Sequence, residues 1–206
     1  MGKGAVDETL PNFGGVYAGD GSNAGVREIV ESADLVLTIG SIQSDFNTAG
    51  FTYKLSHLST IDFHSTHVDV KWATYQGIRM NNVLRRVARD MKKFDTKSVS
   101  THEVPQPKED SKDEIIRHTW LWPHFTSFFK ANDIILTETG TSGYGIFETR
   151  FGKETTGISQ ILWGSIGFAF GASMGAALAG KEIGNRRTIL FTGEGTKALK
   201  ERLDSC

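Results

Sequence analysis

A glycine-flanked loop at residues 193–196 is the part of the sequence whose residue types most directly suggest chemistry. The loop follows a short, largely apolar run at residues 188–191, which predicts a buried strand. In an open α/β sheet, a tight loop at the carboxyl end of such a strand is the usual position of a phosphate or metal site. Glu194 is the candidate metal-binding carboxylate of this loop, although the glycine spacing alone favours an ordinary turn residue.

The preceding stretch, residues 155–180, contains no charged residue. An apolar run at residues 160–163 ends at Gly164, and glycines then recur every fourth residue, at positions 167, 171 and 175. Glycines with this spacing share one face of a helix and allow another backbone to approach closely. The stretch is also long enough to cross a bilayer, so a membrane helix at residues 158–180 is an alternative. Its glycines, its serines and Gln160 make it too polar for that to be the favoured interpretation.

The overall composition is that of an ordinary globular protein. The chain has 206 residues, 38% of them hydrophobic, and a formal net charge of −1, so no nucleic-acid partner is expected. Its one cysteine, Cys206, excludes a disulfide framework and fits a reducing compartment, which predicts a cytoplasmic protein. The basic residues between positions 79 and 93 accompany an apolar stripe of helical spacing and are interpreted as the solvated face of an amphipathic helix.

A polar stretch at residues 94–111, with two prolines and several charges, divides the chain and is interpreted as a linker. We therefore expect one domain at residues 1–93 and a second at residues 112–206. The predicted fold class is α/β, with two incomplete doubly wound parallel-sheet domains joined by the polar linker.

Hydrophobic periodicity predicts the elements of each domain. In the first, it predicts a helix near residues 26–32 and strands at 35–39 and 60–63, followed by the amphipathic helix. In the second, Ser111 and Glu114 have capping-box spacing and predict the start of a helix that Pro123 bends or breaks. A strand is predicted at residues 133–137.

The second domain therefore has three predicted strand ends, at residues 139–141, 164–166 and 193–196. The carboxyl ends of strands in an open parallel sheet line one crevice, so we expect these three loops to form a single binding site.

Several motifs also point to one family. They are ETGTS at residues 138–142, GISQILWGSIGF at 157–168 and ILFTGEGT at 189–196. In this order they resemble the cofactor domain of the thiamine-diphosphate-dependent 2-oxo-acid decarboxylases, and most of all the fungal pyruvate decarboxylases. The first 90 or so residues resemble the middle domain of the same enzymes through the segments GKGAVDETLPNFGGVYAG, ESADLVLTIGS, SDFNTAGF and HSTH.

The resemblance implies thiamine diphosphate and Mg²⁺ as cofactors. On the diphosphate side, Glu194 would provide a carboxylate to Mg²⁺, which prefers oxygen ligands. The amide of Gly195 and the hydroxyl of Thr196 would donate to phosphate oxygens. The resemblance adds Thr139 and Thr141 to the cofactor-binding residues, although both threonines could instead satisfy backbone groups of their loop.

On the ring side of the cofactor, the resemblance assigns roles to three consecutive residues. The carbonyl of Gly164 would accept a hydrogen bond from the 4′-amino group, and Ser165 would also contact the cofactor. Ile166 would be the apolar wedge that holds the two rings of the cofactor in a V shape. The alternative for Ile166 is an ordinary core residue at the start of a helix.

The implied reaction is the non-oxidative decarboxylation of a 2-oxo acid. Pyruvate, giving acetaldehyde and CO₂, is the favoured substrate, with indolepyruvate or phenylpyruvate as alternatives. The family also implies a homo-oligomer, a dimer or a tetramer, without a membrane partner. Because the family's pyrimidine-binding domain and a later asparagine ligand are not among these residues, we expect the chain alone to be an inactive fragment. A non-catalytic paralogue that binds or regulates a full-length subunit is the alternative.

Two further features are interpreted as structural. The sequence GDGS at residues 19–22 has the composition of a metal motif, but no apolar strand precedes it, so a turn is predicted. His64 and His67 have a possible ligand spacing, but no cysteine, histidine or carboxylate cluster is expected to complete a metal site.

Overall fold

The computed structural model describes residues 2–91, 115–184, 186–193 and 195. The chain forms two compact units. The smaller unit is Tyr17–Ser100, and the larger unit combines Met1–Val16 with Thr101–Cys206. The first sixteen residues therefore group with the second half of the chain, whereas the sequence pattern assigned them to a first domain at residues 1–93.

The smaller unit is built on a four-stranded sheet. Its helices are α1 (Val26–Glu31) and α2 (Met80–Met91), and its strands are β1 (Val36–Ile39), β2 (Thr60–Phe63), β3 (His67–Val70) and β4 (Ala73–Gln76). The strand order is β1-β2-β3-β4. β1 and β2 pair in parallel, while β2 with β3 and β3 with β4 pair antiparallel.

The antiparallel half of this sheet departs from the predicted parallel sheet for a simple reason. Three residues join β2 to β3 and two residues join β3 to β4. Connections this short can only form hairpins, because a parallel pair needs a crossover of about a dozen residues. Lys71, in the second hairpin, has a φ of 55°, in the left-handed region that two-residue hairpin turns require.

The predicted amphipathic helix is confirmed as α2. Its apolar residues Val83, Leu84 and Val87 are half-buried, whereas Arg85 and Arg86 are exposed. The basic cluster is therefore the solvated face of a helix. The predicted turn at residues 19–22 is confirmed as well, since Ser22 Oγ donates to the carbonyl of Gly19 at 2.6 Å.

The larger unit contains a three-stranded parallel sheet. Its elements are α3 (His118–Phe128), β5 (Ile134–Thr137), α4 (Thr141–Gly145), a 3-10 turn (Ile146–Glu148), β6 (Thr156–Ser159), α5 (Phe168–Glu182) and β7 (Thr188–Phe191). The order β6-β5-β7 places β5 in the centre, and both pairings are parallel. All four residues of β5 are buried, as expected for a central parallel strand, which reads as a continuous apolar run.

Two sequence predictions for this unit were wrong in detail. Helix α3 starts at His118 and does not include residues 115 and 116, while the predicted capping residues Ser111 and Glu114 lie outside the described residues. Pro123, which was expected to bend or break this helix, lies buried within it and does not end it. The strand before Gly164 is β6, so residues 160–163 form a turn rather than the strand end.

The glycine stripe of α5 is not a packing face in this structure. A methyl group added at Gly171 or Gly175 would meet no atom within 4 Å. Gly167 instead caps the helix with a φ of 97°, a left-handed conformation that glycine adopts without steric cost. Another stretch of backbone does approach the helix closely at Gly180, where an added methyl group would lie 3.2 Å from the carbonyl oxygen of Arg186.

Lys3 and Glu8 of the N-terminal segment form a buried ion pair that is hydrogen-bonded to the rest of the larger unit. Lys3 Nζ donates to both carboxylate oxygens of Glu8, at 3.0 and 2.9 Å, and to the carbonyl of Thr149 at 2.8 Å. Glu8 also accepts from the amide of Phe151 at 2.8 Å, and its carbonyl accepts from Arg150 Nε at 2.6 Å. Burial lowers the pKa of Lys3 even though Glu8 opposes this shift. Removal from water is therefore the dominant effect on the Lys3 ammonium group.

No helix within the described residues has the length and apolar character needed to span a bilayer. Helix α5 covers Phe168–Glu182 and includes two charged residues at its end. The alternative of a membrane helix at residues 158–180 is therefore wrong.

Candidate functional site

The parallel sheet of the larger unit brings the three predicted loops to one edge. β5, β6 and β7 run in the same direction, so residues 138–141, 160–167 and 192–195 all follow carboxyl ends. The register pairs Thr137 with Ser159 on one side and with Phe191 on the other. The three strands therefore end at the same level.

Glu138 is the residue that ties these strand ends together. Its backbone amide donates to the carbonyl of Phe191 at the end of β7, at 2.9 Å. One carboxylate oxygen accepts from the amide of Thr139 at 2.8 Å, and the other accepts from the amide of Gly167 at 3.0 Å. The hydroxyl of Ser142 donates to the carbonyl of Glu138 at 2.9 Å. A single residue thus fixes the ends of β5 and β7 and the loop in front of α5.

Sequence analysis missed this role of Glu138. The residue is only 2% exposed, and it follows a strand in which every side chain is buried. A buried acidic side chain must find hydrogen-bond partners, so an acidic residue directly after a continuous apolar strand was an available signal.

The loop before α5 is held by Gln160. The carbonyl of Gln160 accepts from the amide of Gly164 at 3.1 Å, and its side-chain oxygen accepts from the amide of Ser165 at 2.7 Å. Gly164 has a φ of 56°, in the left-handed region, which permits this tight turn. Ser165 is exposed at the top of the loop.

Ile166 is not a core residue in this structure. Its side chain is 61% exposed, at the carboxyl end of the sheet and directly before the first turn of α5. Large apolar side chains also extend into solvent nearby in the same loop, among them Leu162 and Trp163. An exposed, branched apolar side chain at this edge of the sheet is available to pack against an apolar group of a ligand.

The two threonines after β5 differ in their surroundings. Thr139 Oγ1 is buried and has no hydrogen-bond partner among the described residues. Thr141 is exposed and is the first residue of α4. Between them, Gly140 has a φ of 117°, a conformation that residues with a Cβ rarely adopt.

The loop after β7 is described in part. Gly193 and Gly195 are exposed. The predicted metal ligand Glu194 and the predicted phosphate contact Thr196 lie outside the described residues.

The exposed polar groups at the sheet edge are of kinds that can bind an anion. The hydroxyl of Thr141 and the backbone amides of the glycines after β7 are groups that donate to phosphate oxygens in other proteins. An open cleft of about 290 Å³ lies on the β6 side, lined by Gly157, residues 159–163, Phe147 and neighbouring groups, but it contains none of the predicted cofactor contacts.

In the smaller unit, the structure corrects the interpretation of the two histidines. A carboxylate does accompany them, because Asp69 Oδ2 lies 3.7 Å from Nε2 of His64 and 3.7 Å from Nε2 of His67. The sequence search missed Asp69 because it lies on β3, a strand that the pattern did not predict.

Comparison with known protein families finds a match for the first part of the chain. Residues 1–83 match the sequence profile of the central domain of thiamine pyrophosphate enzymes. The match shows that this part of the chain is similar to that domain, and the α/β fold of the chain is consistent with it.

The particular relatives are fungal. The chain is 57% identical over 201 residues to a pyruvate decarboxylase of Aspergillus fumigatus and 54% identical to one of Aspergillus terreus. Each match covers 97% of this chain and 35% of the relative. A pyruvate decarboxylase of Kluyveromyces marxianus is 44% identical over 204 residues. The chain therefore spans about a third of the length of the curated relatives that it matches, and it is similar to them almost throughout.

Proposed function

We propose that the larger unit forms the diphosphate-binding wall of a thiamine-diphosphate- and Mg²⁺-dependent 2-oxo-acid decarboxylase. The proposed reaction is the conversion of pyruvate to acetaldehyde and CO₂, the activity for which the fungal relatives are named. The observation that carries the proposal is the hydrogen bonding of Glu138, at the end of β5, to the end of β7 and to the loop before α5. Beside it lie a threonine hydroxyl without a partner among the described residues and an exposed isoleucine.

Each residue of the sheet edge has a proposed role. Thr139 and Thr141, with the amide of Gly195 and the hydroxyl of Thr196, would bind the diphosphate. Glu194 would provide the protein carboxylate to Mg²⁺, a cation that prefers oxygen ligands.

The ring side of the site follows from the loop before α5. The carbonyl of Gly164 would accept from the amino group of the cofactor, Ser165 would line the site, and Ile166 would pack between the two rings. Bound thiamine diphosphate supplies the electron sink for decarboxylation, whereas the protein orients the rings. We further propose a cytoplasmic homo-oligomer, a dimer or a tetramer.

Cofactor binding is tested by titrating the full chain with thiamine diphosphate and Mg²⁺ in a calorimeter. The variant Thr139→Val keeps the shape of the side chain and removes the free hydroxyl. A hydrogen bond to a charged group contributes about 1.5–3 kcal/mol, so binding should weaken at least about tenfold. Thr74→Val, on the exposed strand β4, is the matched control and should bind like the wild type.

Failure to bind the cofactor in the wild type, or equal affinity of Thr139→Val and wild type, would refute the proposed site. Substrate choice is tested in a chimera in which this chain replaces the matching third of the Aspergillus fumigatus pyruvate decarboxylase. We expect faster CO₂ release from pyruvate than from indolepyruvate or phenylpyruvate. A folded, cofactor-loaded chimera that does not consume pyruvate would exclude the proposed reaction.

A further inference from the structure

The hairpin β2–β3 of the smaller unit places four chemically active side chains on one face. The amide of His64 donates to the carbonyl of His67 at 2.9 Å, so these two residues are opposite each other across the turn. Asp62 and Asp69 are register partners farther along the same pair of strands. Because side chains two residues apart on a strand share a face, both pairs project to the same side of the sheet.

The ligand atoms of three of these residues converge. His64 Nε2 and His67 Nε2 each lie 3.7 Å from Asp69 Oδ2, and the three ligand atoms all fall within 4.8 Å of one another. For bonds of 2.0–2.2 Å in a tetrahedral site, neighbouring ligand atoms are about 3.4 Å apart. Small side-chain rotations would therefore bring all three groups to bonding distance of one ion.

Two features of the cluster favour the binding of a cation. Asp69 Oδ1 is buried without a hydrogen-bond partner in the part of the chain that the structure describes. Asp62 and Asp69 also face each other directly, a like-charge pairing that destabilises an antiparallel ladder. A cation bound at this face would give Asp69 Oδ1 a partner and reduce the repulsion between the carboxylates of Asp62 and Asp69.

The histidines are already oriented for binding. Their rings stack with centroids 4.3 Å apart, and Nδ1 of His67 lies 3.2 Å from the hydroxyl of Thr66. When Nδ1 of a histidine is engaged by a neighbouring group, its Nε2 is available to bind metal. The side chains of His64 and His67 are 30% and 29% exposed, so an ion can reach them from solvent.

We propose that His64, His67 and Asp69 form a binding site for a divalent transition-metal ion at the β2–β3 turn, with Zn²⁺ as the best fit. Two imidazoles and one carboxylate suit Zn²⁺ and its neighbours in the first transition row, whereas Mg²⁺ and Ca²⁺ prefer sites made of oxygen atoms. The site belongs to the smaller unit, and the proposal does not depend on the function proposed for the larger unit.

The test is calorimetric titration of the untagged full chain with ZnCl₂. We expect one ion per chain, with affinity at least tenfold lower in His67→Gln and in Asp69→Asn, which is nearly isosteric. His124→Gln, in the larger unit, is the control for a histidine outside the cluster and should bind like the wild type. Adding MgCl₂ should not reduce the affinity of the chain for Zn²⁺.

A second measurement does not depend on how the variants fold. Diethyl pyrocarbonate modifies accessible histidines, and mass spectrometry of the wild type locates the products. Zn²⁺ should protect His64 and His67 from modification while leaving His57 and His124 reactive. Absence of Zn²⁺ binding, equal binding in all the variants, or failure of Zn²⁺ to protect this pair would overturn the proposal.

Discussion

Replacing Glu138 by glutamine should loosen the loop in front of α5 while leaving the sheet folded. The carboxylate accepts from two amides, those of Thr139 and Gly167. Glutamine has the same size but only one accepting oxygen, so one of the two amides must face an NH₂ group and lose its acceptor.

The magnitude follows from the burial of the site. Glu138 is 2% exposed, so water cannot replace the missing acceptor while the loop stays closed. A buried donor without a partner costs about 1–3 kcal/mol. A change of this size shifts an opening equilibrium roughly 5- to 150-fold. The amide that loses its acceptor should exchange with deuterium faster by that factor.

Native-state hydrogen exchange on the full chain, resolved for the amides of Thr139 and Gly167, is the assay. Glu154→Gln makes the same chemical change at an exposed side chain of the same unit and is the control. The strand amide of Leu136 should change much less in either variant, because its bonds lie within the sheet. The reasoning is refuted if neither loop amide exchanges faster in a folded Glu138→Gln protein, or if Glu154→Gln produces the same acceleration.

Two further predictions concern the stability of the larger unit. Gly145→Ala would place a methyl group inside the Trp122 ring and should destabilise the protein by about 1–3 kcal/mol. Gly171→Ala, at an open position of a helix, should stabilise it by up to about 1 kcal/mol. Urea unfolding compares the two variants, and equal unfolding midpoints would contradict the packing argument. Although burial opposes ionisation of Asp133, hydrogen bonds from Arg187 and from a backbone amide lower its pKa. The stabilisation from this pair should be complete above about pH 4 and lost as the pH falls through the lowered value, and Asp133→Asn should abolish that part of the pH dependence in urea midpoints measured from pH 2 to 7.

Local pattern predicted those elements whose signal is contained in their own residues. The strands at residues 60–63 and 188–191 have the predicted bounds, and β5 differs from its predicted bounds by one residue. β5 and β7 are short, largely apolar runs, and β2 alternates polar Thr60 and Asp62 with apolar Ile61 and Phe63, so each strand carries its pattern in its own residues. The three-loop arrangement at the sheet edge was predicted from the rule that the carboxyl ends of strands in a parallel sheet line one crevice.

The features that were missed depend on contacts or conformations that the sequence does not display. The β3–β4 hairpin turns at Lys71 and Trp72, which carry none of the usual turn residues, so the two strands escaped prediction. Asp69 was missed with them. The role of Glu138 depends on Gly167, which lies 29 residues away, and no local pattern encodes that bond.

The hydrogen bonds between the first residues and the rest of the larger unit also determine the order in which parts of the chain can fold during synthesis. The bond from the Phe151 amide to Glu8 joins residues 143 positions apart. At translation rates of 5–20 residues per second, the Glu8 carboxylate must wait roughly 7 to 29 s before its partner is made. The whole smaller unit is synthesised within that interval and has time to fold first, so the larger unit is completed by a segment that was synthesised before the smaller unit.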